Sequence, residues 1–305
     1  MALVDGYLAL RRAAGFKLKS TEGRLRSFAS FSVAKGDTHV RTATAVEWAG
    51  SARSGHERHM RLCDLAMFAR HARAEDHAHE VPPPQIFLYK RHYRLPYIYS
   101  DVDIRRILDA AGRLHRCPGD SMGDTYWTLF GLLAATGLRI REALSLQLGD
   151  VNTDRLLVRQ TKFRKSRLVP IHRSTAAALD AYRQRWRLTA GSTDPFFTSR
   201  SGPKLSYSAA SVAFHRVVEE LGLALPPEPG RLPGPRIHDL RHTFAVRALE
   251  SCPEGRAAIN KHTLALSTYL GHTSVKHTYW YLHVTPQLMT QIADACETWL
   301  VGGGR

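Results

Sequence analysis

Cysteine is scarce in this sequence and scattered through it. Its 4 residues, Cys63, Cys117, Cys252 and Cys296, form no Cys-x-x-Cys pair. That spacing excludes a zinc knuckle and a disulfide framework, and it suits a reducing cytosol. Long apolar runs are also missing: nothing approaches the roughly 18 residues that a membrane helix requires. Asp5, Arg11 and Arg12 interrupt the apolar residues near the start, so a secretory signal is not expected there and a cytoplasmic protein is. Acidic residues are in short supply. Against 43 Lys and Arg stand only 27 Asp and Glu, a formal net charge of +16, which suits a polyanionic partner, with nucleic acid ahead of a membrane surface.

What is plentiful is ordinary hydrophobic content, 44% over 305 residues, enough to bury a core in about two domains of roughly 150 residues each. Histidine is abundant at 16 residues, with His56, His59, His71, His77 and His79 in the first third. They make no His-Glu-x-x-His pattern and no Cys or carboxylate cluster completes a tetrahedral set, so no metal site is expected. The sequence carries no internal repeat and no low-complexity tract.

Apolar residues at three and four spacings predict helices over 4–14, 21–33, 44–51 and 57–74, a small helical bundle in residues 1–84. Arg58, Arg61, Arg70 and Arg73 line its last helix, where they can follow DNA phosphates or form a solvated basic face. Val81-Pro82-Pro83-Pro84 breaks the pattern, and 85–97 reads as an extended linker carrying Lys90, Arg91 and Arg94, attracted to a duplex and able to clamp it. From residue 98 a second domain runs to 305. Ser100 with Asp103 caps a helix to about 113, another helix over 124–135 stops at Thr136-Gly137, and 138–146 carries an apolar helical face. Residues 156–158 and 167–171 predict two short strands around a cationic tip, Lys162-Phe163-Arg164-Lys165-Ser166. Helices follow over 174–189 and 207–221, then a Pro- and Gly-rich loop over 225–235. A further helix over 263–270 ends at Gly271, 275–281 ends in Tyr279-Trp280-Tyr281, and 286–300 closes the chain as an amphipathic helix. The fold class is mainly α with a small β-sheet.

The segment His238-Asp239-Leu240-Arg241-His242-Thr243-Phe244 opens a helix and sets His238 and Arg241 on one face, where a guanidinium fork and an imidazole can hold one small anion. Taken with Thr136-Gly137-Leu138-Arg139, Glu142, a hairpin lysine, Leu270-Gly271-His272 and Tyr281 nine residues beyond His272, this segment resembles the tyrosine recombinases, the phage-integrase family. The resemblance spans about 98–290, while the N-terminal bundle corresponds to that family's core-binding domain in position, size and helical character.

The resemblance implies a site-specific recombinase that cleaves and rejoins double-stranded DNA through a 3′-phosphotyrosyl link. Arg139 and Arg241 would hold the phosphate, and His238 and His272 would add hydrogen bonds, one of them assisting proton transfer. Lys162 would protonate the leaving 5′-hydroxyl and Tyr281 would attack. No nucleotide or metal cofactor is implied, and the assembly would be a tetramer on two DNA sites, of this chain alone or with a related recombinase. Arg164 and Lys165 would join Lys90, Arg91 and Arg94 in contacting DNA. Because the hairpin reads Thr-Lys-Phe-Arg-Lys, Lys165 rivals Lys162 as general acid, and Tyr279 rivals Tyr281. Glu142 reads as a structural partner of Arg139. A type IB topoisomerase-like enzyme, and a DNA-binding protein retaining the fold without turnover, are the alternatives.

Overall fold

The computed structural model describes residues 1–89, 95–114, 119–159, 166–223, 234–251 and 256–272, with Ser274, Thr278 and Tyr281 beyond them. The chain divides into two compact units, Met1–Tyr93 and Arg94–Arg305.

Among its described residues the first unit holds four α-helices: α1 (Ala2–Ala13), α2 (Lys19–Ala34), α3 (Thr42–Gly50) and α4 (Gly55–Glu75). Along α4 the three- and four-residue spacing of Leu62, Leu65, Ala69 and Ala72 turns one stripe inward, where it meets Leu8, Leu25, Phe28 and Trp48. Ser54 starts α4 by accepting the Glu57 N–H. Arg24 of α2 then ties the two helices together, donating to Glu57 at 2.8 and 2.9 Å and to Asp64 at 2.9 Å. Two arginines of the basic face are engaged inside this unit. Arg58 donates to the Ala52 carbonyl, and Arg61 donates to the Trp48 carbonyl while its guanidinium lies over the Trp48 ring. Packing also continues past Pro84, because Phe87 gains more from the bundle core than from water and its carbonyl meets His59 Nδ1 at 2.9 Å.

In the second unit, α5 (Asp101–Arg113) opens on a capping box in which the Ser100 hydroxyl and the Asp103 carboxylate each accept the other residue's backbone N–H. The central α6 (Met122–Thr136) is apolar on nearly every side, and it packs against α5, α8 and α10. Next, α7 (Ile140–Ala143) is a single turn, shorter than the apolar pattern over 138–146 predicts. The chain leaves the helix because the Leu146 carbonyl accepts the Phe196 N–H and the Leu148 N–H donates to the Asp194 carbonyl. Strands β1 (Arg155–Val158) and β2 (Arg167–Pro170) pair antiparallel, with Leu156 opposite Val169 and Val158 opposite Arg167. Leu156, Val158 and Val169 face the core while Leu168 points to solvent, the two-residue alternation of a half-buried ribbon. Helices α8 (Arg173–Trp186), α9 (Tyr207–Glu220), α10 (Asp239–Glu250) and α11 (Arg256–Leu270) complete the described elements, and α11 starts seven residues earlier than its apolar pattern suggests. Among the described residues no helix is long and apolar enough to cross a membrane.

The end of α6 brings three helix ends together. Gly137 terminates α6 in the left-handed region at φ 60°, and a Cβ placed there would stand 2.5 Å from Phe244 Cδ1 and 3.0 Å from Leu270 Cδ2. Glycine is therefore required twice over, for its backbone conformation and for the close approach of α10 and α11. Gly137→Ala is expected to lower stability by about 1–3 kcal/mol, the scale of a left-handed side chain added to an overfilled contact. A thermal melt unchanged from the parent protein would show that the three helix ends do not meet this closely.

Candidate active site

Arg241 sits on the first turn of α10, only 2% exposed, between the ends of two other helices. Its Nη1 donates to the Gly137 carbonyl at 2.6 Å and its Nη2 to the Leu270 carbonyl at 2.8 Å. These are carbonyls at the C-termini of α6 and α11, where the helix dipoles concentrate negative partial charge, so the sequence places a cation where the backbone favours one. Both partners are neutral groups, and burial followed by the nearby Arg139 charge brings the guanidinium down to about 10. A buried cation held this way has charge left over for an anion.

Arg139 stands half-buried at the start of α7. Its backbone N–H donates to Glu142 Oε2 at 3.0 Å, its Nη1 to Glu142 Oε1 at 2.9 Å, and its Nη2 to the Gly271 carbonyl at 3.2 Å. From β2, Arg167 grips the same carboxylate with both Nη atoms at 3.1 and 2.9 Å and donates Nε–H to the Tyr269 carbonyl at 3.0 Å. Burial alone would raise the Glu142 carboxyl, but hydrogen bonds and charge from Arg167, joined by Arg139, hold it at about 2. Glu142 is thus an anion shared by two forks, and the pair of arginines fixes the spot where α11 ends. Gly271 leaves room for this: a Cβ on it would stand 2.7 Å from Arg167 Nη1, and its φ is +66°.

Three imidazoles and one phenol gather beside Arg241. His242 lies one turn after His238 on α10, their ring centroids 4.8 Å apart and nearly perpendicular. The Nδ1 of His242 is 3.0 Å from the hydroxyl of Tyr281. His272, just past α11, lies nearly parallel to the Tyr281 ring at 6.2 Å, and its Nδ1 bonds the Thr278 hydroxyl at 2.8 Å. Tyr281 itself is 3% exposed and packs against Ala245, Val246, Leu249, Leu266 and Leu270. Burial, then the charges of His238, Arg236, Arg241 and His272, pushes His242 down to about 3, so the ring is neutral near pH 7. Crowding and Arg241 lower His238 as well, although its exposed edge lets solvent screen part of the effect. The Tyr281 phenol is raised by burial, with the charge and side-chain hydrogen bond of Arg241 acting in the opposite sense.

The site therefore pairs a shielded phenol with two guanidiniums and a neutral imidazole, that of His242. That combination suits attack on a phosphodiester, whose nonbridging oxygens the forks can hold while the phenol oxygen approaches phosphorus. The phage integrase family model matches residues 97–287. The chain belongs to the phage integrase family, the tyrosine-type site-specific recombinases. It is 38% identical to the putative integrase/recombinase y4rB of Sinorhizobium fredii, over 96% of each chain. It is also 30% identical to the tyrosine recombinase XerD of Mycobacterium leprae, over 65% of this chain and 60% of that one. In fold it is similar to lambda integrase in a tetramer bound to a Holliday junction, with a TM-score of 0.61 at 19% identity over 90% of this chain and 77% of that one.

Of the integrase residues expected from sequence, Arg139, His238, Arg241, His272 and Tyr281 come together in this one site. Lys162, Arg164 and Lys165 of the hairpin tip, and Lys90, Arg91 and Arg94 of the linker, lie outside the described residues, as do Tyr279 and the segment 286–300. Among the described residues no group of three or more His, Cys, Asp and Glu could hold a metal ion. Two residues that the sequence pattern does not single out belong to the site. Arg167 carries a signal, since strand alternation puts it on the same inward face as Val169. His242 carries one too, as the i+4 neighbour of His238.

Proposed function

We propose that this recombinase cuts double-stranded DNA by attack of Tyr281 Oη on a phosphodiester and rejoins strands when a 5′-hydroxyl attacks the resulting 3′-phosphotyrosyl link. Arg139 and Arg241 hold the nonbridging oxygens, and their charge helps most when the transition state concentrates negative charge there. His238 and His272 add hydrogen bonds to the same phosphate. The departing 5′-oxygen takes its proton from Lys162, or from its hairpin rival Lys165. Because the phosphotyrosyl link conserves the energy of the broken bond, this chemistry calls for no nucleotide cofactor, and the guanidinium pair supplies the charge a metal would otherwise bring.

The observation that carries the reading is the convergence of Arg139, Arg241 and Tyr281 on the C-termini of α6 and α11, where a phenol 3.0 Å from an imidazole lies beside a guanidinium with charge to spare. The net charge of +16 supports a DNA partner held largely through phosphates. In that role the helical unit 1–84, the basic linker 85–97 with Lys90, Arg91 and Arg94, and the catalytic domain 98–305 each hold the duplex, and Arg164 and Lys165 add contacts from the hairpin. The tetrameric lambda integrase assembly supports a synaptic tetramer of this chain on two sites. Incubating one preparation with a two-site plasmid and with a supercoiled plasmid lacking sites tests it. Exchange between the sites is expected; relaxation of both plasmids without exchange would assign a topoisomerase-like activity instead, and binding without either would reduce the chain to a DNA-binding protein.

A further inference from the structure

We propose that His242 is the group that takes the phenolic proton of Tyr281 as the hydroxyl oxygen attacks phosphorus. This rests on Tyr281 being the nucleophile. The geometry that points to it is direct: His242 Nδ1 is 3.0 Å from Tyr281 Oη, within the 2.6–3.2 Å or so over which a base removes a proton. The other imidazoles are placed for different tasks. His272 presents its ring face to the phenol and its Nδ1 is taken by Thr278, while His238 stands at the exposed mouth of the site, edge-on to His242.

In the acceptor tautomer His242 carries its own proton on Nε2 and offers the Nδ1 lone pair to the phenol. The groups facing this ring are His238 and Arg241 on its own helix, Arg236 just before it, His272 after α11, and Tyr281. With Arg236 and Arg241 cationic and the ring enclosed, the imidazole stays unprotonated and ready to accept. An arriving phosphodiester adds negative charge beside those cations and so raises the basicity of His242 at the moment it is needed. As the Oη–phosphorus bond forms, the phenolic proton passes to Nδ1 and leaves an imidazolium. The bond between phosphorus and the 5′-oxygen breaks, and that oxygen leaves with a proton from the hairpin lysine. On rejoining, the 5′-hydroxyl returns its proton to the hairpin lysine as its oxygen bonds phosphorus, and the imidazolium returns its proton to the departing Tyr281 oxygen, so protons balance over the cycle.

The test uses the full chain on a suicide substrate nicked near the cleavage position, scored as the rate of covalent adduct formation in a single turnover. His242→Ala should form adduct about 100-fold more slowly, within the range for loss of a general base, with DNA affinity close to that of the parent and a modest drop in melting temperature from the lost bond to Tyr281. His242→Gln should be nearly as slow, because an amide can accept the hydrogen bond but cannot take the proton. Replacing Tyr281 with a fluorinated, more acidic tyrosine should shrink the His242→Ala deficit, since a phenol that ionises more readily needs less help. Cleavage by His242→Gln at the parent rate would leave His242 as a positioning residue only, and an undiminished rate in His242→Ala, or a deficit equal for both phenols, would overturn the proposal. Peptide mapping of the parent adduct separates the two levels: DNA attached to any residue other than Tyr281 would remove the nucleophile reading itself, whereas attachment at Tyr281 with a fully active His242→Ala would remove this inference alone.

Discussion

Tyr281→Phe is expected to bind DNA as tightly as the parent protein and to form no covalent adduct. Only one oxygen is removed, and it is the atom proposed to bond phosphorus, so the loss should be complete and not graded. The ring itself is a packing element, 3% exposed among Ala245, Val246, Leu249, Leu266 and Leu270, and phenylalanine preserves that contact. What the substitution also removes is the hydroxyl partner of His242 at 3.0 Å, which at a buried site costs about 1–3 kcal/mol. A modest drop in melting temperature should therefore accompany full loss of cleavage. Tyr279→Phe, two residues earlier in the chain, should still form adduct. A nicked suicide substrate, denaturing electrophoresis and peptide mapping check both variants, and DNA found on Tyr279, or an adduct surviving in Tyr281→Phe, would shift the register of the whole site.

Tyr281 is legible in the sequence through resemblance: it lies nine positions after His272, where the phage-integrase family carries its tyrosine. Local chemistry makes other features equally legible. Ser100 and Asp103 form the capping box expected of them, Thr136-Gly137 ends α6, and the alternation around Val169 marks a strand with one buried face. Each of these is decided within a few residues. What stays hidden depends on partners far along the chain. Arg61 reads as part of a basic face, solvated or laid along phosphates, and its bond to the Trp48 carbonyl, 13 residues away, shows only in the fold. The apolar pattern over 138–146 is stopped after one turn by Phe196, whose N–H the Leu146 carbonyl accepts. Glu142 reads as the partner of Arg139, which it is, but its second fork comes from Arg167 on a strand 25 residues later. His242 is hidden for a different reason, because a histidine one place after Arg241 stands out only once the helix is wound and Tyr281 is laid against it.

Arg241→Ala is expected to lower the cleavage rate by about 100-fold or more while changing DNA affinity far less, the scale for losing a preorganised donor aimed at developing charge. The structure adds a second consequence. Arg241 spans two helix ends, Nη1 on the Gly137 carbonyl and Nη2 on the Leu270 carbonyl, so truncation leaves both carbonyls without that donor and should destabilise the second unit as well. Arg241→Lys separates fork from charge. A single ammonium cannot reach two carbonyls placed for a planar guanidinium and still present a donor to phosphate, so the lysine variant should keep the positive charge and lose most of the rate. Arg139→Ala makes the comparison sharper. Arg139 is half-buried and its partner Glu142 retains both donors of Arg167, so removing it should cost cleavage on the same scale but stability less than Arg241→Ala does. Single-turnover cleavage, equilibrium DNA binding and thermal melts on the three variants decide the matter. If Arg241→Ala loses cleavage and affinity in equal proportion, Arg241 is a phosphate anchor that treats ground state and transition state alike, and if Arg241→Lys cleaves at the parent rate, charge alone is what the two helix ends hold in place.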